Sequence, residues 1–111
     1  MAKSKVELGR EIEARAVAFL LELGYIIITR NYQIRGGEID IVALDGDVLV
    51  FVEVRYRYDG TAFDSISPRK ADALKRSARK YVMDMDENRE YRIDFLAVDP
   101  NGIEHAIGFV E

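Results

Sequence analysis

Cysteine is absent from the 111 residues. Disulfides, zinc-thiolate sites and thiol nucleophiles are therefore excluded, in keeping with a reducing compartment. Histidine is almost absent too: His105 is the only one. Metal chemistry here would have to rest on oxygen ligands. Proline occurs twice, as Pro68 and Pro100, and both positions separate elements. Apolar runs stay far short of the ~18 residues of a membrane span. The opening MAKSKVELGREIE has no apolar stretch of the signal-peptide kind and soon turns acidic. A soluble cytoplasmic protein with no membrane partner is expected. Positive charge is in deficit, with 16 Lys and Arg against 20 Asp and Glu and a net charge of −4. That balance argues against a protein that coats nucleic acid non-specifically, since phosphate neutralisation drives such binding. A local basic patch remains compatible with it.

What is present is a core. Apolar residues make up 49% of the chain, enough at this length for one domain spanning 1–111. Residues 4–23 read as a helix. Ser4 and Glu7 match a capping box, and Leu8, Ile12, Phe19, Leu20 and Leu23 form an apolar stripe near the 3.6 period. Gly24 is a natural stop. Glu11 and Arg15, four apart, are placed to pair on the solvent face. YIIITRNY (25–32) is β-branched and aromatic, hence a strand.

Residues 36–57, GGEIDIVALDGDVLVFVEVRYR, read as two strands joined at Asp45-Gly46-Asp47, a strong hairpin signal. Strict alternation sends Ile39, Ile41, Ala43, Val48, Val50, Val52, Val54 and Tyr56 to one face. Glu38, Asp40, Val42, Leu44, Leu49, Phe51, Glu53, Arg55 and Arg57 go to the other. The second face is apolar near the turn and charged far from it, which calls for a helix on each side of the sheet. After a loop, Ser67 caps and Pro68 opens a helix running to about residue 85. Its buried stripe is Ala71, Leu74, Ala78, Tyr81, Val82 and Met85. Arg69, Lys70, Lys75, Arg76, Arg79 and Lys80 make the rest of its surface basic. A fourth strand follows at 91–99, and 103–110 reads as a short fifth. The class is α/β with order α-β-β-β-α-β. The third and fourth strands are parallel, because a crossover helix joins them. His105 is expected at the surface or on an edge strand, and Tyr56 and Tyr58 as packing groups.

Hairpin geometry makes facing residue numbers sum to about 93, which sets Asp40 beside Glu53. Glu38 and Arg55 are their same-face neighbours. Carboxylates crowded on one strand pair repel unless something offsets them. A hard cation such as Mg²⁺ would do so. So would a salt-bridge network with Arg35, Arg55 or Arg57. Arg69 and Lys70 oppose the helix dipole at the start of the second helix, a placement that suits a nearby anion.

Glu11, Glu38-Ile39-Asp40 after Gly36-Gly37, and Phe51-Val52-Glu53-Val54-Arg55 resemble the YraN-like family of small uncharacterised bacterial proteins. Gly9, Asn31, Lys70, Arg92, Asp94 and the closing 106–109 fit the same pattern, so the likeness spans nearly the whole chain. That family is similar to the PD-(D/E)xK nucleases, including archaeal Holliday-junction resolvases. The resemblance implies a restriction-endonuclease-like mixed sheet with helices on both faces. It implies a metal-dependent endonuclease hydrolysing DNA phosphodiester bonds, branched DNA included. It also implies Mg²⁺ or Mn²⁺ held by Asp40 and Glu53, with Glu11 or Glu38 assisting, and phosphate contacts from Arg55, Arg57 and Lys70. Two active sites on branched DNA would require a homodimer. One position departs: Arg55 stands where the superfamily carries lysine. Arginine stays protonated and cannot accept a proton from water, although it can stabilise developing charge. Lys70 is the candidate for the missing ammonium. The alternative is a nucleic-acid-binding module of nuclease ancestry without catalysis. A third possibility is a protein-interaction domain whose charges are structural.

Overall fold

The structure, a computed structural model, describes residues 2–110. Helix α1 spans Lys5–Glu22. Ser4 Oγ caps it by accepting from the Glu7 amide at 3.1 Å, and Gly24 ends it at φ +90°, a conformation that costs a β-carbon residue dearly. Strands β1 (Ile26–Ile34), β2 (Gly37–Asp45) and β3 (Val48–Tyr56) follow as an antiparallel meander. A short 3₁₀ turn, Ala62–Ser65, leads to helix α2 (Pro68–Asp84), then β4 (Tyr91–Asp99) and β5 (Gly102–Val110). The sheet runs β1-β2-β3-β4-β5. Strand β4 lies parallel to β3 and β5 antiparallel to β4. The expected α-β-β-β-α-β order is present, and the last strand is a full nine residues. No helix among the described residues is long and apolar enough to cross a membrane.

Each helix covers one face of the sheet. Ala16 and Leu20 of α1 are buried with Ile41, Ala43, Val50, Val52, Leu96 and Val98. Ala78 and Tyr81 of α2 are buried with Ile39, Val42, Leu49, Phe51 and Ile93. Leucine 20 is fully enclosed, and truncating such a side chain to alanine removes about 2–5 kcal/mol. Two expected stripe members fall outside the cores. Leu23 and Met85 are both exposed. Both are C-cap residues, where the backbone leaves the helix and the 3.6 period no longer sets direction. Tyr58, expected to pack, is 82% exposed on the loop after β3. Glu11 does not pair with Arg15. The Arg15 guanidinium instead donates to the Asp99 carbonyl at 2.8 Å, tying α1 to the β4–β5 turn.

The β2–β3 register agrees with the hairpin geometry: Ile41 faces Val52, and Asp45 faces Val48. Alternation fails at one place. Ile39 joins the α2 core while Ile41 lies in the α1 core. With Val42 also in the α2 core, one step of the pleat is lost at Asp40. The regular β2–β3 ladder stops at Ile41, and Asp40 Oδ2 takes the Val54 amide hydrogen at 2.9 Å in place of a backbone carbonyl. Across the other edge of β2, Asn31 adopts φ +53°, which asparagine tolerates better than most residues.

Asp94, fully buried, anchors a second polar centre. It accepts from Arg92 Nε at 2.9 Å, His105 Nε2 at 2.8 Å and the Gly108 amide at 3.0 Å. Arg92 also reaches Tyr25 Oη at 2.7 Å and Asp45 Oδ2 at 3.0 Å. The β4–β5 register shifts between Ile93 and Phe95, and Gly108 sits at φ +64°, so the carboxylate satisfies an amide the ladder leaves free. His105 is on the edge strand as expected, but its side chain is only 9% exposed. The Asp94 bond and ring-edge contacts with Phe19 and Tyr25 hold it inward.

Candidate active site

Glu53 points from the centre of β3 toward α2. Its side chain is 6% exposed, yet Oε2 has no hydrogen-bond partner among the described residues. Such an orphaned buried carboxylate oxygen costs several kcal/mol unless it is neutralised or bound. Lys70, two residues into α2, brings Nζ to 3.5 Å from that oxygen. At this reach and angle the contact is a Coulomb attraction without a hydrogen bond. The ammonium remains 40% exposed, so water competes for it. A void of about 10 Å³ lies between Asp40, Glu53 and Ser77.

Asp40 sits at the break in β2 and reaches two spaces. On the α2 side it borders the void at Glu53. On the α1 side it lines a cavity of about 440 Å³ with Arg10, Glu13, Asn31 and Tyr56. Burial pushes its carboxyl up to about 8, helped by proton sharing with Glu53 and repulsion from the Glu53 charge. The Val54 amide and Lys70 oppose the rise. Two carboxyls so placed cannot both ionise cheaply near neutral pH. The arrangement can hold one proton between them or a cation that replaces it.

The remaining candidates are spread out. Glu11 pairs with Lys3 at 2.6 Å on the exposed side of α1. Glu38 is exposed near the start of β2. Arg55 is half-buried at the end of β3, and Arg57 is exposed just beyond it. Neither arginine pairs with Asp40 or Glu53 among the described residues, and the ion-pair partner of Glu53 is Lys70. Asp40, Glu53 and Lys70 are thus brought together, whereas Glu11 and Glu38 stand apart. Among the described residues no group of three or more His, Cys, Asp or Glu converges at metal-binding range.

Sequence reasoning passed over Glu13. It is half-buried beside Asp40 in the α1 cavity, held by Asn31 Nδ2 at 2.9 Å and Arg30 Nε at 3.0 Å. A signal was available. Glu13 precedes Ala16, Val17 and Leu20 by three, four and seven residues, so it shares their inward face. Glu11 lies about 200° around the helix from it.

Comparison with known proteins places this sequence in a family. The family described as Uncharacterised protein family UPF0102 matches residues 12–98. A UPF0102 protein of Carboxydothermus hydrogenoformans is 46% identical over 100 residues, covering 84% of this chain and 82% of the relative. One of Chloroflexus aurantiacus is 41% identical over 92% of this chain and 87% of its own length. One of Chlorobium chlorochromatii is 37% identical over 93% and 82%. The matched span takes in α1 from Ile12, both carboxylates of the β2–β3 pair, Lys70, Arg92 and Asp94, and the chain belongs to the UPF0102 family.

Proposed function

We propose that this protein is a metal-dependent endonuclease that hydrolyses phosphodiester bonds of DNA in the cytoplasm, with Asp40 and Glu53 holding Mg²⁺ or Mn²⁺. The observation that supports this reading best is the carboxylate pair of half-buried Asp40 and buried Glu53, with an unpartnered oxygen on Glu53. A divalent cation would replace the shared proton and satisfy that oxygen in one step. Lys70 supplies one charge from 3.5 Å and only partly offsets the pair. The donor set fits the ion: Mg²⁺ commonly takes one or two carboxylates and fills its other positions with water and phosphate oxygen. When bound, such an ion acidifies water and offsets charge on a phosphoryl oxygen.

The chain's own residues have distinct tasks. Asp40 and Glu53 must both be ionised to act as ligands, so the raised Asp40 makes binding pH-dependent. Lys70 places its ammonium where an anionic substrate oxygen would approach Glu53. Arg55 and Arg57 lead from the end of β3 toward solvent and contact phosphate without exchanging a proton. Glu13, on the wall shared with Asp40, holds Asn31 and Arg30 in place. In the reaction the oxygen of water bonds to phosphorus, the ester P–O bond breaks, and the departing oxygen gains a proton. Branched DNA is the proposed substrate structure, cut by a homodimer.

The test is incubation with Mn²⁺ or Mg²⁺ and a panel of duplex, flap, single-stranded and four-way DNA. Cleavage by the parent that disappears in Asp40→Asn and Glu53→Gln is the expected result. Equal cleavage by parent and variants would sink the site. A second reading is a binding module of nuclease ancestry. Arg55 at the lysine position and the lack of a three-ligand group among the described residues favour it. DNA binding that persists without saturable Mn²⁺ binding and without cleavage of any substrate would select that reading.

A further inference from the structure

A second cavity, of about 400 Å³, lies between the β1–β2 turn and one flank of α2. Three cations line it: Arg35 from the turn, and Arg76 and Lys80 from the helix. No acidic residue does. Lys80 is already paired with Asp84 at 2.8 Å. Arg35 and Arg76 make no ion pair among the described residues. In a chain of net charge −4, two unpaired guanidinium groups at one cavity are a local reversal of sign.

Local structure builds this cavity. Ala73, Arg76, Ser77 and Lys80 follow the i, i+3, i+4, i+7 spacing of a single helix face. Like charges at Arg76 and Lys80, four apart, repel on that face. The turn comes close to the helix because its residues are small. Gly36 adopts φ +84°, and a Cβ on Gly37 would stand 3.3 Å from Ser77 Oγ. That approach sets Arg35 against the helix. Ser77 also borders the void at Glu53, so the cavity and the carboxylate pair share a wall.

We propose that Arg35 and Arg76 form a phosphate-binding subsite for the polynucleotide backbone, flanking the bond that faces Glu53. This rests on the reading of the carboxylate pair as a phosphodiester site and adds where the flanking strand is held. Guanidinium groups suit the role because their planar fork matches two phosphate oxygens at once. Ser77 Oγ, between them and the void, can donate to a phosphate oxygen on the same path. Lys80 adds charge at the rim while remaining paired with Asp84.

The experiment measures equilibrium binding of fluorescein-labelled duplex DNA, single-stranded DNA and duplex RNA by anisotropy. It is done in EDTA from 50 to 300 mM salt, so it needs neither metal nor cleavage. The Arg35→Ala/Arg76→Ala double variant is expected to weaken duplex DNA binding by tens of fold at 100 mM salt. Its slope of log affinity against log salt should flatten by about 1.8, because each lost phosphate contact removes roughly 0.9. Arg35→Lys/Arg76→Lys should keep most of the slope. Lys3→Ala/Arg89→Ala, which removes equal charge outside the cavity, should leave it unchanged. Parental affinity and slope in the alanine double variant would overturn the subsite. So would an equal loss in the control pair, or a parent that binds none of the three probes. A flattened slope in a protein that shows no Mn²⁺-dependent cleavage would keep the subsite and remove only the catalytic reading.

Discussion

Replacing Asp40 by asparagine should make the metal-free protein more stable at pH 8. Burial and the Glu53 charge raise the Asp40 carboxyl from 3.8 to about 8. The unfolded chain ionises near the lower value and the folded chain near the higher one. Between them the folded state holds a proton that the unfolded state has released, so stability falls as pH rises. The contribution is intact below about pH 4 and lost by about pH 8. At 1.36 kcal/mol for each factor of ten in proton affinity, the ceiling is about 6 kcal/mol. Glu53 shares that burden, so recovery of roughly 1–3 kcal/mol is expected. Asparagine fits the site. Its oxygen can accept the Val54 amide bond that Asp40 now takes at 2.9 Å, and its amide can donate to Glu53. For a chain of this size the gain corresponds to a Tm rise of about 5–15 °C. Thermal melts of parent and variant in EDTA at pH 5, 6.5 and 8 measure it, with the difference widening as pH rises. Saturating Mn²⁺ should then stabilise the parent more than the variant. A variant less stable than the parent at pH 8 in EDTA would refute the reasoning, because the carboxylate would then be a structural ion.

Three further outcomes follow from the same geometry. Asp94→Ala should cost about 3–5 kcal/mol in urea unfolding, because it strands Arg92, His105 and the Gly108 amide around a buried gap. Lys70→Ala should lower cleavage about a hundredfold while leaving Mn²⁺ affinity at or above the parental value, since it removes a cation that competes at Glu53; unchanged cleavage would remove Lys70 from the site. Ser4→Ala should destabilise by about 1 kcal/mol, the loss of the α1 cap, with cleavage unaffected.

Local pattern was enough for the elements and their order. The capping box at Ser4, the Ser67-Pro68 start, the Gly46 turn and the apolar periods are short-range signals whose physics is complete within a few residues. The β2–β3 register was legible for the same reason, because a tight turn fixes which residues face each other. Ile39 was misplaced because alternation presumes an unbroken pleat. The break is made by Asp40, whose side chain takes a backbone amide of the neighbouring strand. Leu23 and Met85 were misplaced because periodicity does not announce where a helix turns away.

The carboxylate pair itself was legible in the sequence, because the tight turn sets Asp40 opposite Glu53, while the reach of Asp40 into both spaces depends on the break in the β2 pleat. Which cation reaches them was decided by the tertiary structure alone. Lys70 is 17 positions from Glu53 in the chain and touches it because α2 crosses the β2–β3 face. Glu13, and not Glu11, faces Asp40 because α1 presents its Ala16–Leu20 side to the sheet. Arg35 and Arg76 likewise share a cavity only after the β1–β2 turn folds against α2. Pairing within a hairpin is set by local backbone geometry. Pairing between a helix and a sheet is set by how two apolar faces pack, which no stretch of either one encodes.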